Sequence, residues 1–136
     1  MNRKQAREFV MQTIFQIDAQ KDFDTPDVDR YMKECPAGSQ KEYIRNLISS
    51  ICGHISYIDA VIDEASKGWP AARMAKPDLA IIRVAIGEMI FADDVPDAVA
   101  INEAINLAKI YGTDHSPQFV NGVLGKAELE NKPGSK

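Results

Sequence analysis

Hydrophobic positions recur at steps of three and four along most of this chain, and each such run predicts an α-helix. In residues 3–19, Ala6, Phe9, Val10, Thr13, Ile14 and Ile17 fall on one face. Ile44, Leu47, Ile48, Ile51, Ile55, Ile58, Ile62 and Ala65 trace a second stripe, about six turns long, behind a Ser39-Gln40-Lys41-Glu42 segment that fits a capping box. This predicts the longest helix. Pro77-Asp78 opens a third, in which Leu79, Ile82, Ala85, Ile86, Met89 and Ile90 face one way while Ile81 and Val84 extend the apolar cover. It should be largely buried, and Arg83 within it needs a carboxylate or carbonyl partner, for which Glu88 and Glu103 are the candidates. Pro96 at a first helical position and Asp97 at the positive end of the dipole start a fourth. From Ala98 to Tyr111 the polar Asn102, Asn106 and Lys109 leave one narrow wet stripe, predicting a nearly buried, central helix.

The breaks between these runs are equally legible. Thr25 before Pro26 marks a short helix to about Glu34 inside an otherwise polar connector. Lys67 to Lys76, with Gly68 and Trp69-Pro70, divides the chain into halves of about 1–67 and 76–130, read as parts of one domain, 1–130. Gly112 supplies a left-handed helix stop, Thr113-Asp114-His115 form a break, and Ser116-Pro117 starts the last helix. Pro133 and Gly134 in polar 131–136 predict a flexible tail. The expected fold is therefore all-α, a compact bundle of six to seven helices arranged as two small helical halves packed together, with neither strand nor internal repeat.

Composition narrows the class further. A chain of 136 residues, 45% hydrophobic and 26% charged, has the size and balance of one soluble domain that folds without disulfides or metal. No apolar run approaches the roughly 20 residues of a membrane span, and no secretory signal is apparent, so a cytoplasmic location is expected. Cys35 and Cys52 lack disulfide-framework spacing, and Cys52 with His54 lacks the further ligands of a metal shell. No cofactor is implied. The sequence also lacks a phosphate loop after a strand, a His-Glu-x-x-His pair and a nucleophile elbow, and the adjacent Asp93-Asp94 suit a solvated turn better than acid-base work, so an enzyme is not expected. A net charge of −4 argues against indiscriminate binding to polyanions. Any nucleic-acid site must be local.

Two places have the chemistry for one. On the first helix Arg3, Arg7, Met11 and Phe15 form a row at steps of four, with Lys4 beside it. Cations that follow phosphates and an aromatic face that stacks an unpaired base are the means by which single-stranded RNA is held. The alternative is that Met11 and Phe15 widen the core face beneath solvated cations. At the start of the last helix, His115, Ser116, Gln118, Phe119 and Asn121 cluster around free amides, a natural anion site. Phe119 serves equally well as a core residue.

Val95-Pro96, Ala100-Ile101-Asn102-Glu103-Ala104, Leu107-Ala108-Lys109, Gly112 and Phe119-Val120-Asn121-Gly122-Val123-Leu124 resemble the NusB family of bacterial transcription antitermination factors. Weaker matches at Ala6-Arg7-Glu8, Gln12, Asp78, Ile82-Arg83 and Glu88 extend the likeness over nearly the whole chain. The resemblance implies two packed helical halves and a non-enzymatic protein that binds the single-stranded RNA element boxA together with the ribosomal protein NusE in transcription elongation complexes, supporting ribosomal RNA synthesis. Carried over by position, it nominates Arg7, Phe15, Gln118 and Phe119 for RNA, flanked by Arg3, Lys4, His115 and Ser116. Gln118 stands where relatives often have a basic residue, and the N-terminal basic segment is short, which implies weaker RNA affinity. Gly125 replaces a frequent acid. These departures keep a second function open, a NusB-fold interaction or structural domain, monomeric or homodimeric, that has lost RNA binding.

Overall fold

A computed structural model describes residues 1–36 and 38–130; the expected tail, 131–136, lies outside them. Among the described residues seven α-helices follow one another: α1 (Arg3–Ala19), α2 (Val28–Tyr31), α3 (Lys41–Gly53), α4 (Ile55–Ala65), α5 (Lys76–Phe91), α6 (Asp97–Tyr111) and α7 (Ser116–Glu130), with a 3-10 turn at Ala71–Arg73 before α5. No strand occurs among the described residues. The fold is all-α, as the periodicity predicts.

The helix apolar on every side occupies the centre, because only there can all its faces avoid water. That helix is α5. Every residue from Asp78 to Glu88 is buried, and α1, α3, α4, α6 and α7 all pack against it. Helix α1 runs antiparallel to α5, since Arg7 meets Glu88 while Asp18 meets Arg83 and Lys76. Gly87 lets α3 close on α5: a Cβ there would lie 2.7 Å from Ile51 Cγ1. One hydrophobic cluster runs through all these helices, with Ile14, Ile48, Ile62, Ile82 and Leu124 among its fully enclosed side chains.

Four local expectations are corrected. Helix α6 buries only Ala100, Ala104, Leu107 and Ala108, leaving Val99 and Ile110 exposed, so it covers α5 rather than forming the centre. The long stripe is two helices, broken at His54, whose imidazole Nδ1 lies 2.8 Å from the Ser50 carbonyl oxygen and whose ring packs on Phe91. Gly53, a poor helix former, precedes the break. The capping box does not form: Gln40 caps α3 without a side-chain bond, its Oε1 instead accepting from Arg3. Asp27, not Thr25, caps the short α2.

Two arginines, Arg83 on α5 and Arg7 on α1, settle their charges differently from expectation. Arg83 pairs with Asp59 through bonds of 2.9 and 2.8 Å and lies 3.2 Å from Asp18, so its partners are neither Glu88 nor Glu103. Glu88 is taken by Arg7 and Tyr43. A carboxylate one and a half turns along the same helix is out of reach once the guanidinium turns towards α1 and α4.

Candidate nucleic-acid interface

The row of side chains along α1 does not stay on the surface. Arg7 is 7% exposed, and its Nε–H donates to both oxygens of Glu88, at 2.8 and 2.9 Å. Burial by itself pulls the guanidinium pKa down, but the Glu88 bond and charge outweigh it and hold Arg7 above its usual value. Tyr43 donates to the same carboxylate; burial first, then Glu88, drive its phenol pKa well up. Arg7, nominated for phosphate, is thus a sealed ion pair, because the α1 face that carries it is the one pressed against α5. Met11 is buried beside it. The row re-emerges at its ends. Phe15 is 40% exposed, consistent with an accessible ring. Arg3 stacks 3.8 Å above the Tyr43 ring, donates to Gln40 and lies 3.7 Å from Asp94. Lys4 projects into solvent, loosely paired with Glu103 at 3.8 Å.

At the other end of α5, a second arrangement stays open. The chain leaves α6 at Gly112, whose backbone is extended (φ −98, ψ −166) and not left-handed as expected. The glycine is needed for space: a Cβ there would come within 2.4 Å of the Ser116 side chain. Ser116 is 2% exposed, and its Oγ accepts from the Thr113 N–H at 2.9 Å, so it ties the turn. His115 and Gln118 are exposed, and Phe119 is half-buried against the core. His115, Ser116 and Phe119 line a groove of about 330 Å³ whose other walls come from Trp69, Ala75, Asp78 and Thr113.

Trp69, Arg73 and Asp78 were not nominated from sequence. The segment 67–76 reads as a boundary, and only the fold brings it against the start of α7. Its one signal was the single tryptophan of the chain in a polar connector, half exposed here with Arg73 5.7 Å from its ring. Asp78 reads as a helix-opening acid, yet it is 9% exposed and its Oδ1 is enclosed without a hydrogen-bond partner. Neither end of α5 brings together all the nominated residues: Arg3 and Lys4 lie at one, His115, Gln118 and Phe119 at the other. About 15 Å of helix separates Glu88 from Asp78.

The family model described as NusB family matches residues 4–128. The chain belongs to the NusB family. Transcription antitermination protein NusB of Alkaliphilus oremlandii is 44% identical over 127 residues, covering 93% of this chain and 92% of its own length. That of Desulforamulus reducens is 44% identical over 133 residues, covering 97% and 92%. Among solved structures, T. maritima NusB superposes with a TM-score of 0.88 at 32% identity, covering 98% of this chain and 94% of its own. A chain from the structure of antitermination factors NusB and NusE in complex with dsRNA has a TM-score of 0.79 at 22% identity, over 92% and 94%, and shows the same fold. The all-helical architecture of this NusB-family chain is thus that of its relatives.

Proposed function

We propose that this protein is a transcription antitermination factor that binds boxA-type single-stranded RNA together with the ribosomal protein NusE, in transcription elongation complexes in the cytoplasm, without catalysis of its own. The observation that carries this is identity of 44% across nearly the whole chain to proteins named for antitermination. The groove of aromatic walls at the entry to α7 supports it, since stacking platforms beside cations suit unpaired bases. Lys4 and Arg73, exposed at opposite ends of α5, take the phosphate-neutralising part that Arg7 does not, and Phe15 offers a second stacking surface.

Titration of the purified protein with boxA and with a scrambled RNA, each with and without NusE, tests this. Preference for boxA, strengthened by NusE, is expected. Equal or absent binding of both RNAs in both conditions overturns it. A stable NusE complex that gives no boxA enhancement favours the second function, an interaction domain; the burial of Arg7 and the exposed Val99 and Ile110 on α6 motivate keeping that outcome in view.

A further inference from the structure

Resting on the RNA-binding function proposed above, we infer that Glu103 is an internal competitor for RNA: it holds the Lys4 ammonium in the free protein, and a phosphate must displace it to take that cation. Each cation in the first two turns of α1 already has a carboxylate beside it. Arg7 is bonded to Glu88, and Arg3 lies 3.7 Å from Asp94 while it stacks on Tyr43 and donates to Gln40. Of the three, only Lys4 has a side chain mostly in solvent, 65% exposed, and its ion-pair partner is Glu103 at 3.8 Å. It is the cation that an RNA strand reaches most readily.

Glu103 is a rival and not a bystander because its own charge needs the cation. Its side chain is 18% exposed, and Oε1, the oxygen that faces Lys4, is enclosed and has no hydrogen-bond partner. Leu107 and Ile110 of α6 line the cleft around it, and Arg7, which lines the cleft too, has its Nε–H committed to Glu88. Where the local dielectric is low, a charged oxygen without a donor depends on the nearby cation. Lys4 supplies it. When the ammonium swings out to a phosphate, Glu103 is left less compensated, and that cost offsets the gain at the phosphate. The effect weighs most on RNA held by charge alone, because a strand that also stacks its bases keeps those contacts whatever Lys4 does. In a protein of net charge −4, Glu103 thus adds a local restraint to the general one against indiscriminate polyanion binding.

The test measures the affinity of the whole protein for fluorescein-labelled boxA and scrambled RNA at roughly 0.1 M salt, in a cycle of Lys4→Ala, Glu103→Gln and the two together. A cation free to meet one phosphate is worth about fivefold there, since a single-strand contact gives a slope of about 0.7 in log affinity per decade of salt. Lys4→Ala should therefore cost about fivefold in the Glu103→Gln background and less than about twofold in the native one. Glu103→Gln alone should tighten both RNAs about threefold and steepen the fall of affinity with salt. A merely structural role for Glu103 gives the reverse, weaker binding together with earlier melting. Equal cost of Lys4→Ala in both backgrounds overturns the competitor, because a carboxylate acting only through its general field gives additive effects. So does weaker or unchanged binding by Glu103→Gln in a native protein that binds boxA. A cost of about fivefold for Lys4→Ala in the native background overturns it without any change at position 103. If neither RNA binds the native protein or the Glu103→Gln variant, with and without NusE, the RNA function falls and the competitor falls with it.

Discussion

The two ends of α5 carry similar chemistry and treat it in opposite ways. At the C-terminal end Arg7, Glu88 and Tyr43 form a closed set in which each charge and hydroxyl has its partner inside the protein. At the N-terminal end Asp78 is as well enclosed as Arg7 but has no partner for its Oδ1, and aromatic side chains stand open beside it. A buried charge whose partner is also buried fixes the packing of helices. A carboxylate oxygen left without one ties no helix to its neighbour. The difference lies in what the neighbouring helix presents, not in the residue types.

Breaking the closed end should have the largest effect. Arg7→Ala leaves Glu88 buried and uncompensated, which should cost about 3–5 kcal/mol of folding stability. Urea unfolding measures it; a loss below about 1 kcal/mol, with RNA affinity reduced, would return Arg7 to the surface role that its sequence pattern suggested. Tyr43→Phe removes a hydrogen bond to a charged group and should cost about 1.5–3 kcal/mol. The phenol pKa is raised on folding, so its contribution is fully present below the unfolded value of about 10 and is lost as pH rises towards the higher folded value. Stability of the native protein should therefore fall more steeply above pH 10 than that of Tyr43→Phe, and parallel profiles would break the Tyr43–Glu88 link.

At the open end, Gly112→Ala drives a methyl into Ser116 and should cost about 1–3 kcal/mol, as over-packing does. It should also weaken RNA binding, because Ser116 sets the entry to α7 and so the place of Phe119. Were the alanine variant to melt normally, the close approach of the turn would be wrong. Phe15→Ala should have the smallest effect on folding, about 0.5 kcal/mol, because the ring is already 40% exposed. The same variant should lose about 1–3 kcal/mol of RNA affinity if the ring stacks a base. A large drop in melting temperature with RNA binding unchanged would make Phe15 a packing residue.

Helical periodicity alone determined the all-α class and the approximate extent of most helices, because an amphipathic stripe requires only that neighbouring turns face the same way. The ordered identities from Val95 to Leu124 were enough to suggest the family. Which helix is central was decided by packing: α5 and α6 are both rich in apolar residues, and only α5 has partners on every side. Three-residue and four-residue spacing places Arg7 in line with Arg3 and Phe15, but spacing carries no information about what lies opposite. Glu88, 81 positions away, removes Arg7 from the surface. The same limit hid the groove, since Trp69, Asp78 and Phe119 belong to three separate segments of chain, and pairing between distant segments is written in the tertiary fold and not in any local pattern.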